Sequence, residues 1–134
     1  TQASSSAASD VYKRQYNTWP FMGTTYFPND NSFMDLFKLS AFNDPSLVQF
    51  IHRNLAYLIG IYYLLILYQV YKNKIYELYK SIILLGCFII LQIFLGVLTI
   101  LYGAQIYIAS MHQISSIFLV SSCVYFFFIN TKIN

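Results

Sequence analysis

Apolar residues crowd into long blocks of the chain, and polar residues collect in the gaps between them. No charged residue occurs from Asn54 to Tyr71, and none from Ser81 to Thr131. The second run, 51 residues, is too long for a soluble core and matches a pair of membrane spans joined by a turn. The pattern predicts an all-α transmembrane fold. A first membrane-spanning helix covers 45–71, a basic connector 72–80, a second helix 81–102, a turn 103–105, a third helix 106–129 and a tail 130–134. Asn43-Asp44-Pro45 supplies the start of the first helix, with Asp44 as N-cap and Pro45 at the first helical position.

Upstream, residues 16–44 are polar and aromatic, with turn signals at Trp19-Pro20, Gly23, Pro28 and Asn29-Asp30-Asn31. Phe33, Met34, Phe37 and Phe42 recur there at helical spacing beside Asp35 and Lys38. That spacing suits a short helix lying in the membrane interface, and it suits a loop covering the bundle nearly as well. Residues 1–15, Ser/Ala-rich and polar, carry too little apolar surface to order themselves. They read as a disordered tail similar to translated sequencing-adaptor ends, which puts the native start near Tyr16. They hold no apolar core of the kind a cleavable signal peptide carries.

Composition sharpens this picture. The chain is 57% hydrophobic and only 10% charged, well below the quarter or so typical of soluble domains. It is an integral membrane protein whose first partner is the lipid bilayer. The net charge of +3 does not point to nucleic acid, because the few lysines sit at membrane edges. Cys87 and Cys123 both fall inside apolar spans and read as small core residues rather than a disulfide. By the positive-inside rule, Lys72, Lys74, Lys80 and Lys132 mark the cytoplasmic side, with residues 16–44 and the uncharged turn outside.

His52 and His112 are the only histidines among 134 residues. Each lies about seven residues into its apolar segment, roughly 10 Å deep, on helices that run in the same direction. A histidine inside a membrane is costly and usually serves a site. Two imidazoles at one level suit a flat metal cofactor held from both faces, and two neutral imidazoles suffice as axial ligands of a haem iron. Zinc is less suited, since no cysteine or carboxylate lies at that depth to complete a tetrahedron. The plainer alternative is an interhelical hydrogen bond.

The neighbours extend the haem reading. His52, Ala56 and Gly60 share one helical stripe, and Ser115 and Ser116 follow His112 on its face, leaving room for a planar ring. The same small residues would serve close helix packing. Arg53 is placed to pair with a haem propionate or to snorkel to lipid headgroups. Gln49 and Gln113 are placed to orient a histidine or line the site, and Gln92 to bond between helices. The spans hold no carboxylate and no nucleophile beside a base, so the chain reads as a cofactor holder.

Several motifs bear a resemblance to one family, heme A synthase in its proteobacterial and mitochondrial form. Tyr16-Asn17-Thr18-Trp19-Pro20-Phe21-Met22-Gly23 resembles the Asn-Thr-Phe-Pro-x-Met signature before that family's sixth helix. Val48-Gln49-Phe50-Ile51-His52-Arg53 is similar to the sixth-helix motif, and Gln92-Ile93-Phe94-Leu95-Gly96-Val97-Leu98-Thr99 to the seventh. His112-Gln113 with Ser115-Ser116 resembles the eighth, so the likeness runs from Tyr16 to about Phe128. Two departures are Asn43-Asp44, where the family tends to have Glu-Asn, and the lack of the extracytoplasmic cysteine pair of some bacterial members.

The resemblance implies an eight-helix protein built of two similar four-helix halves. This chain would be the second half without its first helix, which accounts for three helices in a four-helix haem-binding bundle. It implies that His52 and His112 are axial ligands of a haem b near the extracytoplasmic face of a bacterial plasma membrane or mitochondrial inner membrane. It also implies that the whole enzyme oxidises a methyl group of heme O to a formyl group, giving heme A for cytochrome oxidase, while this fragment alone is inactive. The missing N-terminal half, heme O synthase, an electron donor and a further copy of the chain are the partners implied. Two other readings stand beside it: a b-type cytochrome module that only transfers electrons, and a structural bundle with hydrogen-bonded histidines.

Overall fold

The computed structural model describes residues Tyr16–Ile133, so the predicted tail over 1–15 lies outside the described residues. Every long element is helical: α1 is Pro45–Lys72, α2 is Tyr79–Leu101 and α3 is Ile106–Ile133. All three are long and apolar enough to cross a membrane. Short 3₁₀ turns occupy Phe33–Phe37, Leu39–Asn43 and Tyr76–Leu78. The chain divides into two compact units, the first ending at Leu55 and the second beginning at Ala56, within α1.

In the first unit the loop before α1 is folded onto the start of that helix. Asp44 caps α1: its Oδ1 accepts the N–H groups of Ser46 and Leu47, each at 3.0 Å. The fully buried Ser46 hydroxyl stands 2.7 Å from Asp44 Oδ1 and 2.8 Å from Asp30 Oδ2. Met22, Pro28, Ala41 and Leu47 fill the small core around these groups. Phe27 lies edge-on to Phe50 with ring centroids 5.0 Å apart, joining the loop to the helix.

In the second unit α2 is the most enclosed helix, burying Ser81, Ile82, Leu85, Gly86, Ile89 and Leu95. The Tyr63 phenol lies across Gly86, where any side chain would overlap it, and donates to the Ile82 carbonyl at 3.1 Å. Val70, Leu78 and Ile82 form a core against Phe126 and Ile129, so the lysine-bearing connector and the C-terminal end of α3 lie at one end. At the other end α2 and α3 are joined by a turn in which Gly103 and Ala104 both have positive φ.

Helix α3 continues past Ile129 to Ile133, although Asn130-Thr131-Lys132 is polar. The Thr131 hydroxyl bonds the Phe128 carbonyl at 2.9 Å, and the Lys132 ammonium lies 4.5 Å from the centre of the Phe128 ring. These local contacts satisfy the polar groups without ending the helix. Helix α2 begins at Tyr79 directly after the 3₁₀ turn, with Tyr79 stacked on Tyr71. Both cysteines are free and exposed on their helices rather than packed in a core. Small residues on a helix that is apolar all round need not face inward.

Candidate functional site

His52 stands in the second turn of α1 with an exposed side chain, and its neighbour Arg53 is buried. The helix places successive residues about 100° apart, so the two side chains leave the helix on different faces. The Arg53 fork reaches back under the loop. Nη2 donates to the Thr18 carbonyl at 2.8 Å and the Tyr16 carbonyl at 3.4 Å, and Nη1 donates to the Phe21 carbonyl at 3.2 Å. Gln49, one turn earlier, makes a two-way bond with Tyr16: it accepts the Tyr16 N–H at 3.0 Å and donates Nε2 to the Tyr16 carbonyl at 2.8 Å. The loop also closes on itself, for the Thr18 hydroxyl donates to the Phe21 carbonyl and accepts the Gly23 N–H. Arg53 and Gln49 therefore clamp the Tyr16–Gly23 segment to the turn that carries His52.

Charge in this unit is held by hydrogen bonds. Desolvation works to raise the Asp44 carboxyl, but donors from Leu47, Ser46 and Asn31 outweigh it and hold the group below the usual carboxylate range. The Tyr16 phenol is pushed up, first by burial and then by its hydrogen bond to the Asp30 carboxylate.

His112 lies in the second turn of α3, half-buried against α2. Its ring rests on Gly96, where an added methyl group would sit 3.2 Å from Cε1 and 3.7 Å from Nδ1. Its main chain is tied to α2 as well: Gln92 Nε2 donates to the His112 carbonyl at 3.1 Å. The buried Ser115 hydroxyl lies between that carbonyl, at 3.0 Å, and the Gln92 side-chain oxygen. Gln92 and Gly96 stand one turn apart on α2, so one face of that helix holds both the backbone and the ring of His112.

The remaining predicted residues sit nearby in sequence but play lesser parts in this geometry. The Ser116 hydroxyl donates to the Gln113 carbonyl at 2.6 Å, and the Gln113 side chain is exposed. Ala56 is half-buried one turn beyond His52, and Gly60 has nothing within 4 Å of where a side chain would begin. Sequence spacing pointed to Gln92 as an interhelical donor, which it is. It did not single out Gly96, although a glutamine and a glycine one turn apart in mid-span carry that signal.

Comparison with known proteins agrees with this arrangement of motifs. A protein named heme A synthase from Pelagibacter ubique is 43% identical over 107 residues, covering 80% of this chain and 31% of that protein. A heme A synthase of Wolbachia pipientis is 40% identical, covering 83% of this chain and 30% of its own length. One from Rickettsia felis is 33% identical, with 85% and 34% covered. The chain thus spans about a third of the length of the curated relatives it matches. No solved structure matches it. The sequence profile of the cytochrome oxidase assembly protein family matches residues 7–124, and the chain belongs to that family.

Proposed function

We propose that this chain is the haem b-binding C-terminal portion of a heme A synthase, with His52 and His112 as the axial ligands of one haem iron. The observation that carries the reading is the seat of His112: an imidazole backed by a glycine and anchored at its own carbonyl by Gln92 and Ser115. Such a seat fits a ligand whose ring plane must stay fixed, since outer partners set the orientation of a coordinating histidine. On α1, Arg53 and Gln49 fix the loop beside His52, while Ala56, Gln113 and Ser116 line the surface a planar ring would meet. Bound there, the haem supplies one-electron transfer.

Four lysines, Lys72, Lys74, Lys80 and Lys132, gather at one end of the second unit, and that end is read as cytoplasmic. The histidine-bearing ends of α1 and α3 then lie toward the extracytoplasmic face. Oxidation of the heme O methyl group to a formyl group belongs, in this reading, to the whole protein. Heme O synthase, an electron donor and a second copy of the chain are the partners it brings.

The test is the reduced-minus-oxidised visible spectrum of the full-length gene product in membranes, with His52→Ala and His112→Ala alongside. A low-spin b-type signal lost in both variants supports the shared haem; a signal unchanged in either one removes that ligand. The absence of any carboxylate from α1, α2 and α3 favours a second reading, a module that only relays electrons. Heme A formed from added heme O by the full-length protein would exclude it.

A further inference from the structure

We propose that residues 33–42 are a lipid anchor, lying in the headgroup region with Phe33, Met34, Phe37, Leu39 and Phe42 in the acyl boundary. These five side chains are between 62% and 89% exposed, the densest run of bare apolar surface before α1. The segment is nevertheless folded. Ser32 and Asp35 form a capping box at the start of the first 3₁₀ turn, and Lys38 pairs with Asp35 at 2.7 Å. Phe33 packs edge-on against Phe37, and the buried Ala41 pins the second turn. The Asp35 and Lys38 charges are thus paired within the segment, while the five apolar side chains remain exposed.

Its position in the chain sets its level. The second 3₁₀ turn ends at Asn43, next to the Asp44 cap of α1. Helix α1 has 28 residues, and at about 1.5 Å per residue it measures roughly 42 Å, against about 30 Å of hydrocarbon in a bilayer. The excess of about 12 Å leaves its first turn, residues 45–48, free to stand at headgroup depth. At about 2 Å per residue the second 3₁₀ turn keeps Leu39 and Phe42 within roughly 10 Å of the Asp44 cap. The segment's Asp35 and Lys38 cancel in charge, so burial of the apolar face moves no net charge out of water. A run of exposed Phe, Met and Leu side chains beside a charge-paired Asp35 and Lys38 is the chemistry of an interfacial segment. A protein partner at the same place would leave those side chains packed rather than in contact with lipid.

The experiment uses the full-length gene product in phosphatidylcholine/phosphatidylglycerol nanodiscs, in a background free of other cysteines. Phe37→Cys and Leu39→Cys are spin-labelled one at a time, with Thr24→Cys in the polar loop as the reference. The proposal expects both labels to collide with oxygen several-fold more often than with a water-soluble nickel chelate, and the Thr24 label to show the reverse. Ready collision with the nickel chelate at both positions would overturn it, because the face would be in water. Low collision with both reagents would overturn it too, because another protein segment would cover the face.

Discussion

The His112 ring lies directly on Gly96, so close that a single methyl group there would stand 3.2 Å from Cε1. That spacing is tighter than ordinary van der Waals contact, and either the ring or α2 must give by a few tenths of an ångström. Under the proposed haem ligation by His112, Gly96→Ala is expected to weaken and broaden the b-type spectrum without unfolding the protein. Gly96→Val, with two further carbons in the same space, is expected to abolish the signal. Potentiometric titration of the Gly96→Ala variant checks the milder case, where a tilted haem ligand would shift the midpoint potential.

Gln92 donates from α2 to the His112 carbonyl across the helix pair. Side-chain hydrogen bonds between membrane helices average about 0.6 kcal/mol and reach about 1.7 kcal/mol. Gln92→Leu is therefore expected to lower stability by about 1 kcal/mol, read from thermal unfolding in detergent. Gln92→Glu keeps an acceptor for Ser115 but removes the donor to His112, so its loss is expected to be at least as large.

Arg53 holds three carbonyls of one loop with one guanidinium. Lysine offers a point charge without the planar fork. Arg53→Lys is expected to speed hydrogen exchange over 16–23 while leaving α2 and α3 unchanged, and Arg53→Ala to open the loop to protease as well. Equal exchange over 16–23 in wild type and both variants would contradict the clamp.

Asp44 gives the first unit a pH dependence of definite sign. Its carboxyl is desolvated, which alone would raise it, but the Leu47, Ser46 and Asn31 donors hold it below its unfolded value. A depressed carboxyl contributes stability that is complete above the unfolded value, near pH 4, and is lost as pH falls through the folded one. Asp44→Asn is expected to retain the cap and flatten that acid limb; Asp44→Ala is expected to cost about 1 kcal/mol at neutral pH. Unfolding monitored between pH 3 and pH 7, a range set by ordinary carboxylate values, distinguishes them.

The elements were legible because helix and membrane leave broad marks. The uncharged run from Ser81 to Thr131 announces a helical pair, and Asp44-Pro45 announces where α1 begins. Contacts that close over long separations left no such mark. Arg53 meets carbonyls 32 to 37 residues earlier in the chain, and carbonyls are the same at every position, so no residue type signals the pairing. Spacing offered Arg53 a propionate or a headgroup and did not suggest the loop. For His112 the spacing marked Gln92 as bonding between helices but not Gly96, and only the packing of the helices shows that Gln92 takes its backbone and Gly96 its ring.

The turn at Gly103 and Ala104 bears on how the protein reaches the bilayer at all. Helices α2 and α3 form a hairpin whose bend carries no charge, and the lysines nearest it, Lys80 and Lys132, lie at the far ends. Driving a charged side chain through hydrocarbon costs about 2.5 kcal/mol or more by insertion scales. When the bend leads the way across the membrane, nothing of that kind has to pass. The hairpin can therefore be released from the insertion machinery as one body, already paired through Gln92 and His112, with the lysines holding its open end behind.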